Sequence, residues 1–286
     1  MSVRVSAVIP TLDRPALLHE CLASLAAADP AFAQVIVADQ SAESPMVGIS
    51  AAVIMLRLEA RGISRARNAG LEHATGDWVY FPDDDCTVPP DVLARFDAVI
   101  AAQPDVAFVS ARVLSPAGRA LMPSADARAR RLHLHDDVLR TVMSPGLFVR
   151  RDVLAEIGGF DEDLGVGARF PSGEESDLLF RILESGRHGW YAPELVVTHP
   201  EPFEVRGARA QAERAFQYGR GWGALFGKHA GRKHYAFFLM LWFHYLQRAA
   251  YAALFHAVTL RWGMAARYRA ILAGRWRGWG EYRREL

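Results

Sequence analysis

Apolar runs and amphipathic stretches alternate over the first two hundred residues of this chain. Residues 3–9 alternate as a strand does, residues 15–28 carry apolar side chains at helical spacing, and 34–38 and 54–58 are further short apolar runs. Helical spacing returns over 62–74. The aromatic and β-branched run 77–81 then reads as a buried strand, and 106–113 as another. Such βαβ alternation predicts an α/β fold: a Rossmann-like, doubly wound, mostly parallel sheet. Residues 125–139, rich in Arg, His and Asp, read as a surface insertion, and 147–149 as a further apolar run. There is no internal repeat.

With 286 residues, 51% hydrophobic and 23% charged, the chain can bury a large core, which excludes a disordered protein and suggests one large domain with an appendage, or two domains. Cys21 and Cys86 are too few for a disulfide framework or a zinc cluster, so a reducing, cytoplasmic setting is expected. The first residues run straight into a strand pattern and carry no secretory signal.

Charge divides the chain at about residue 202. Residues 1–202 hold 18 Lys and Arg against 28 Asp and Glu, and residues 203–286 hold 15 against 4. A catalytic domain over 1–202 and a basic, helical region over 203–286 are expected. A basic region can meet nucleic acid, an anionic membrane or an acidic partner. Here its company is Trp222, Trp242, Trp262, Trp276 and Trp279 with the apolar stretches 235–246 and 249–260, which favours a membrane over nucleic acid. Each stretch is shorter than the ~20 residues a span needs, and joining them would put Arg248 near the bilayer centre. Helices lying in the interface, aromatics at headgroup depth and arginines on anionic lipid, are the expectation. A spanning hairpin and an ordinary helical subdomain are the alternatives.

The candidate chemistry gathers where strands end, which is where open α/β sheets place ligands. Asp83, Asp84 and Asp85 follow the strand at 77–81, and a cluster of hard oxygens suits Mg²⁺ or Mn²⁺. Asp39, after the run 35–38, is placed to accept a hydrogen bond from a nucleobase N–H. Arg65 or Arg67, near the start of the helix at 62–74, can neutralise a diphosphate. Ser172 or Gly173 can cap a helix with an acidic first turn. On a helical wheel Glu175 falls among Leu178, Leu179 and Ile182, while Glu174 and Asp177 point away. Partial desolvation of an inward carboxylate suits it to general-base work.

Taken in order, Val8-Ile9-Pro10-Thr11, Val37-Ala38-Asp39-Gln40-Ser41, Arg67-Asn68-Ala69-Gly70, Gly76-Asp77 through Asp83-Asp84-Asp85, Gly159-Phe160-Asp161-Glu162 and Gly173-Glu174-Glu175 through Leu178 resemble the motifs of family 2 glycosyltransferases. The resemblance covers about the first two hundred residues. It implies a nucleotide-diphospho-sugar transferase fold of GT-A type, a D-x-D motif and sugar transfer with inversion. It implies that Asp39 meets the base, Asp83 the ribose or donor sugar, and Asp85 a divalent metal on the diphosphate. Pro10, Thr11, Arg67 and Asp84 then belong to the donor site, with a UDP-sugar as the first expectation. Glu175 falls where the family places its catalytic carboxylate, often Asp. His199 matches a histidine that some members use as a further metal ligand; a structural histidine is the alternative. Ser144-Pro145-Gly146 resembles the segment lining the donor and acceptor pocket, where Gly146 would permit close backbone approach.

The implied acceptor is a saccharide or lipid-linked saccharide, in surface polysaccharide or glycolipid assembly, with the protein peripheral at the inner face of the cell membrane. Two rivals remain. A metal-dependent nucleotidyltransferase would carry a basic, Gly-rich loop that Pro10-Thr11-Leu12-Asp13-Arg14 lacks, and a non-catalytic membrane adaptor would not need Asp85 and Glu175 together.

Overall fold

The first strand, β1 (Val5–Thr11), has no exposed residue, as befits a strand with parallel neighbours on both sides. These neighbours are β2 (Gln34–Asp39) and β4 (Trp78–Tyr80), and β3 (Val53–Arg57) continues the sheet beyond β2. Residues 3–42, 53–122, 127–201, 207–230 and 235–284 are described by this computed structural model. The remaining strands are β5 (Phe108–Leu114), β6 (Arg130–Leu132), β7 (Leu147–Arg150) and β8 (Gly189–Thr198), and the eight-stranded order is β3-β2-β1-β4-β7-β5-β8-β6. β7 pairs antiparallel with both β4 and β5, and β6 antiparallel with β8, so the sheet is mixed beyond its parallel half.

Helices α1 (Pro15–Ala26), α2 (Ile63–His73), α3 (Val92–Ala102), α4 (His135–Thr141), α5 (Arg151–Ile157) and α6 (Glu174–Glu184) complete this part of the chain. The main core is continuous around Tyr80, Phe96 and Phe148, whose rings stack on or meet one another at 4.3 and 4.5 Å. The expected surface insertion at 125–139 lies partly outside the described residues. Its remainder is structured: β6 pairs with β8, Leu132 is buried, and His135 packs edge-on to Phe180. A charged three-residue edge strand carries too little periodicity to be read from sequence.

The chain divides into two compact units, Met1–Phe160 with Glu175–Pro202, and Asp161–Glu174 with Phe203–Leu286. The second unit holds α7 (Ala208–His229), α8 (Tyr235–Val258) and α9 (Trp262–Arg283). Within this second unit, segment 161–174 packs on α7 and α9: Asp161 accepts from Lys228 at 2.6 Å, the Ser172 hydroxyl donates to the Tyr218 carbonyl, and Phe170 lies beside Tyr282. α7 and α9 approach until backbones touch: a Cβ on Gly223 would collide with the Arg275 carbonyl oxygen, and one on Gly278 with that of Arg220.

The stretches 235–246 and 249–260 lie largely on one helix, since α8 runs through Arg248 to Val258. Among the described residues no helix is long and apolar enough to cross a membrane, which removes the spanning alternative. Nor do all the tryptophans face outward. Trp242 is buried and stacks on Trp279 at 4.9 Å, and Trp222 meets Tyr245 at 5.3 Å, while Trp262 and Trp276 are exposed. Arg275 lies within this aromatic cluster, 5.3 Å from the Trp222 ring, donating to the Tyr245 carbonyl at 2.5 Å. Burial pushes its pKa down to about 10, so it remains charged at neutral pH.

Candidate active site

β1, β2, β4 and β8 point the same way, because two antiparallel steps through β7 restore the direction of β4 in β5 and β8. Their carboxyl ends therefore place Thr11, Asp39, Asp83 to Asp85 and His199 at one edge. The winding reverses between β1 and β4, and there the Thr11 hydroxyl donates to Asp84 Oδ2 at 2.8 Å. Pro10, opposite Ala38, lies beyond the short ladder to β4, so its missing N–H removes no hydrogen bond from that ladder.

The three aspartates have different partners. Asp83 Oδ1 accepts from Arg67 at 2.8 Å, and the Arg67 side chain is wholly buried, its guanidinium 5.4 Å from the Phe160 ring centre. Arg67 was expected at a diphosphate; its partner here is Asp83. Arg14 lies 3.2 Å from Asp84 Oδ1 and 3.3 Å from Asp85 Oδ2 with nearly half its side chain exposed. Burial raises the pKa of Asp84 above the usual carboxylate range against the opposing Thr11 hydrogen bond and the Arg14 charge. Burial likewise raises that of Asp85, with His199 opposing and the Asp83 charge adding to the rise.

His199 arrives from the far side of the sheet. Thr87 and Thr198 exchange backbone hydrogen bonds of 2.9 Å, which ties the loop after Asp85 to the end of β8. This puts His199 Nε2 3.3 Å from Asp85 Oδ1 and 3.8 Å from Asp83 Oδ2, while Nδ1 contacts the Pro200 carbonyl. An Nδ1–H donated to that carbonyl leaves the Nε2 lone pair facing the carboxylates. Asp85 Oδ1 is buried and accepts no hydrogen bond. A buried acceptor opposite an imidazole lone pair is costly unless a cation lies between them or the ring is protonated. Carboxylate oxygen with imidazole nitrogen fits Mn²⁺ or Mg²⁺. The Cys86 sulfur belongs to the same cluster of possible ligand atoms, all within 4.8 Å, but burial pushes its thiol well up and Cys86 packs in the core. It is a poor ligand for such an ion.

Asp39 is fully buried: Oδ1 accepts from the Ser41 N–H at 2.9 Å and Oδ2 pairs with Arg57. Arg57 is the residue opposite it in the β2–β3 register. At Gly146, in a 3-10 turn over Ser144–Gly146, the close backbone approach is to the Ala111 carbonyl of β5, which a Cβ would meet at 2.9 Å. The Ser144 hydroxyl beside it is buried without a hydrogen-bond partner.

α6 forms as expected after Gly173, whose φ is +89°. The wheel is corrected. Glu174 and Asp177 are buried and Glu175 half-buried, because α6 is covered on more than one side and its apolar stripe no longer separates inside from outside. Asp177 accepts from Arg181 at 2.9 Å, and Arg181 donates to the carbonyls of Ile157 and Gly159. Asn68 completes this link, donating to the Phe160 carbonyl and accepting its N–H at 2.9 and 2.8 Å. Gly159, at φ +69°, has no room for a Cβ beside the Asn68 side chain. The Arg67-Asn68 pair thus holds Asp83 with one residue and the Gly159-Phe160 turn with the next.

Arg14, Arg57 and Asn68 were missed as site residues by sequence reasoning. The position of Arg57 was legible, since it ends the strand beside the one that Asp39 ends. The pairing of Arg14 with two aspartates 70 residues away was not.

Residues 6–158 match the model of the glycosyl transferase family 2. The chain is 30% identical over 221 residues to a pre-mycofactocin glycosyltransferase of Mycobacterium tuberculosis, which covers 71% of this chain and 44% of that protein. It is 29% identical over 160 residues to a glucosyl-dolichyl phosphate glucuronosyltransferase of Haloferax volcanii, covering 52% of this chain and 50% of the relative. It spans about half the length of these two curated relatives. Among solved structures it resembles a mannosyltransferase of Pyrobaculum calidifontis in complex with GDP-Man and Mn²⁺, with a TM-score of 0.60, 21% identity and coverage of 96% of this chain and 88% of that one. At that identity the likeness is one of fold, the GT-A type. With more than half of its length matched by the family model, the chain belongs to glycosyl transferase family 2.

Proposed function

We propose that this chain transfers a sugar, with inversion, from a nucleotide-diphospho-sugar to a hydroxyl of a saccharide or lipid-linked saccharide. The observation that carries the reading is the pair Asp85 and His199: a buried carboxylate oxygen without a hydrogen bond faces an imidazole nitrogen at the carboxyl edge of the sheet. Mn²⁺ or Mg²⁺ held by Asp85 and His199 would supply Lewis-acid stabilisation of charge on the departing nucleoside diphosphate.

The chain's own residues do the rest. Asp39 accepts a nucleobase N–H on lone pairs that Ser41 and Arg57 leave open. Arg67 holds Asp83 toward the ribose or donor sugar, and Thr11 fixes Asp84. Arg14, half exposed beside Asp84 and Asp85, adds positive charge where the diphosphate would lie. The Ser144–Gly146 turn offers a buried hydroxyl to the sugar. Glu175 takes the proton of the acceptor hydroxyl during in-line attack. The GDP-Man bound by the Pyrobaculum protein and the dolichyl phosphate in the name of the Haloferax relative support this donor and acceptor chemistry. We place the reaction in surface polysaccharide or glycolipid assembly, at the anionic inner face of the cell membrane.

The deciding experiment offers UDP- and GDP-sugars with Mn²⁺, follows donor consumption with and without acceptor, and repeats the assay with Glu175→Gln and Glu174→Gln. Glu175→Gln should bind donor normally and lose ~10²–10⁴-fold in transfer. Glu174→Gln, compared as folded protein, should retain it. If no nucleotide sugar is consumed, or Glu175→Gln transfers at the wild-type rate, this reading fails.

A further inference from the structure

α8 turns one face to its own unit: Leu241, Trp242, Tyr245, Leu246, Ala249 and Ala253 are buried. The opposite face should then be polar if water were its neighbour. Up to Arg248 it carries exposed His244 and Gln247, but over the last two turns it is apolar. Tyr251, Leu254, Phe255, Val258, Leu260 and Trp262 are each between 60 and 73% exposed. The four on α8 fall within roughly 120° of the helix circumference at ~100° per residue, a continuous stripe rather than scattered side chains. Leu260, at φ +57°, turns the chain into α9, which begins at the exposed Trp262.

Charge decides what covers it. Arg248, Arg261, Arg267 and Arg269 are exposed on the same stretch of α8 and α9. Over residues 235–284 the one acidic residue is Glu281, and Arg220 and Arg277 already occupy it. A second copy docking through this face would bring arginine against arginine, whereas an anionic lipid surface meets both the apolar stripe and the charge around it. Among the described residues no helix is long and apolar enough to cross a membrane, and Arg248 within α8 would be costly at the bilayer centre.

We propose that the outer stripe of α8 and the turn into α9 form an in-plane membrane-contact surface for anionic lipid, with Tyr251, Leu254, Phe255, Val258, Leu260 and Trp262 entering the acyl boundary and the neighbouring arginines at the headgroups. This deepens the membrane location given above and rests on the second unit alone, independently of the catalytic reading.

The test is flotation of the full chain with vesicles of phosphatidylcholine alone or of equal parts phosphatidylcholine and phosphatidylglycerol. Wild type should float with the anionic vesicles, less in high salt, and brominated lipid should quench fluorescence that Trp262→Phe removes. Leu254→Glu/Val258→Glu changes only exposed positions and should weaken partition on the order of a hundredfold at unchanged melting temperature and nucleotide-sugar binding. Failure of wild type to float at low salt, or flotation of the double variant at the wild-type level, overturns the proposal. So does concentration-dependent dimerisation abolished by the same variant without lipid binding, which would assign the face to a second copy. Loss of donor binding in wild type would instead count against the catalytic reading alone.

Discussion

Arg67 donates to Asp83 across 2.8 Å from a side chain with no exposed surface, so the first aspartate of the cluster is held from inside the protein. A lysine there keeps the charge but loses the planar, multiply donating guanidinium. Arg67→Lys should cost about 1–3 kcal/mol of stability and weaken nucleotide-sugar binding, read by thermal denaturation and calorimetric titration. Unchanged values in both would mean that Arg67 does not position Asp83.

Asp85 should destabilise the metal-free protein near neutral pH. Its native pKa is raised above the unfolded value, so between the two values the native state binds the extra proton and stability increases as pH falls. Asp85→Asn should therefore melt higher than wild type without metal, and the margin should shrink on acidification. Mn²⁺ should raise the wild-type melting temperature and leave that of Asp85→Asn unmoved. A destabilised Asp85→Asn would show that its pairs with Arg14 and His199 outweigh the burial cost.

His199 separates a ligand from a structural residue. His199→Ala should raise the Mn²⁺ concentration needed for half-maximal thermal shift by about tenfold or more, because one of two proposed ligands is gone. A lower melting temperature with an unchanged metal midpoint would mark the histidine as structural.

Two glycines of α9 should respond in opposite directions. Gly278→Ala forces a methyl group against the Arg220 carbonyl of α7 and should cost about 1–3 kcal/mol or more. Gly280→Ala meets nothing within 4 Å and should stabilise the helix by about 1 kcal/mol. Equal effects in thermal melts of the two variants would contradict the packing of α7 against α9.

The run 77–81 ends at Asp83 to Asp85, and 35–38 at Asp39, because a strand's hydrophobic pattern and its end are local properties. The sheet half β3-β2-β1-β4 and the carboxylates on its edge were therefore readable from sequence, as was α6 between Gly173 and Gly186. The direction of β7 was not, since a three-residue apolar run pairs equally well either way. Glu174 and Asp177 were misread because a wheel assumes one solvent side, and only the packed structure shows that α6 lacks one. The tail shows the same division. Its aromatic and basic composition is explicit in the chain, yet whether a tryptophan stacks inside, as Trp242 does on Trp279, or stands outside, as Trp262 does, depends on which helix faces meet. The sequence by itself determined which residues could form strands, helices and charged ends. Only the tertiary structure decided which of these meet, as Thr87 and Thr198 do in bringing His199 to Asp85, because contacts between residues over a hundred positions apart depend on the whole chain's packing rather than on any local period.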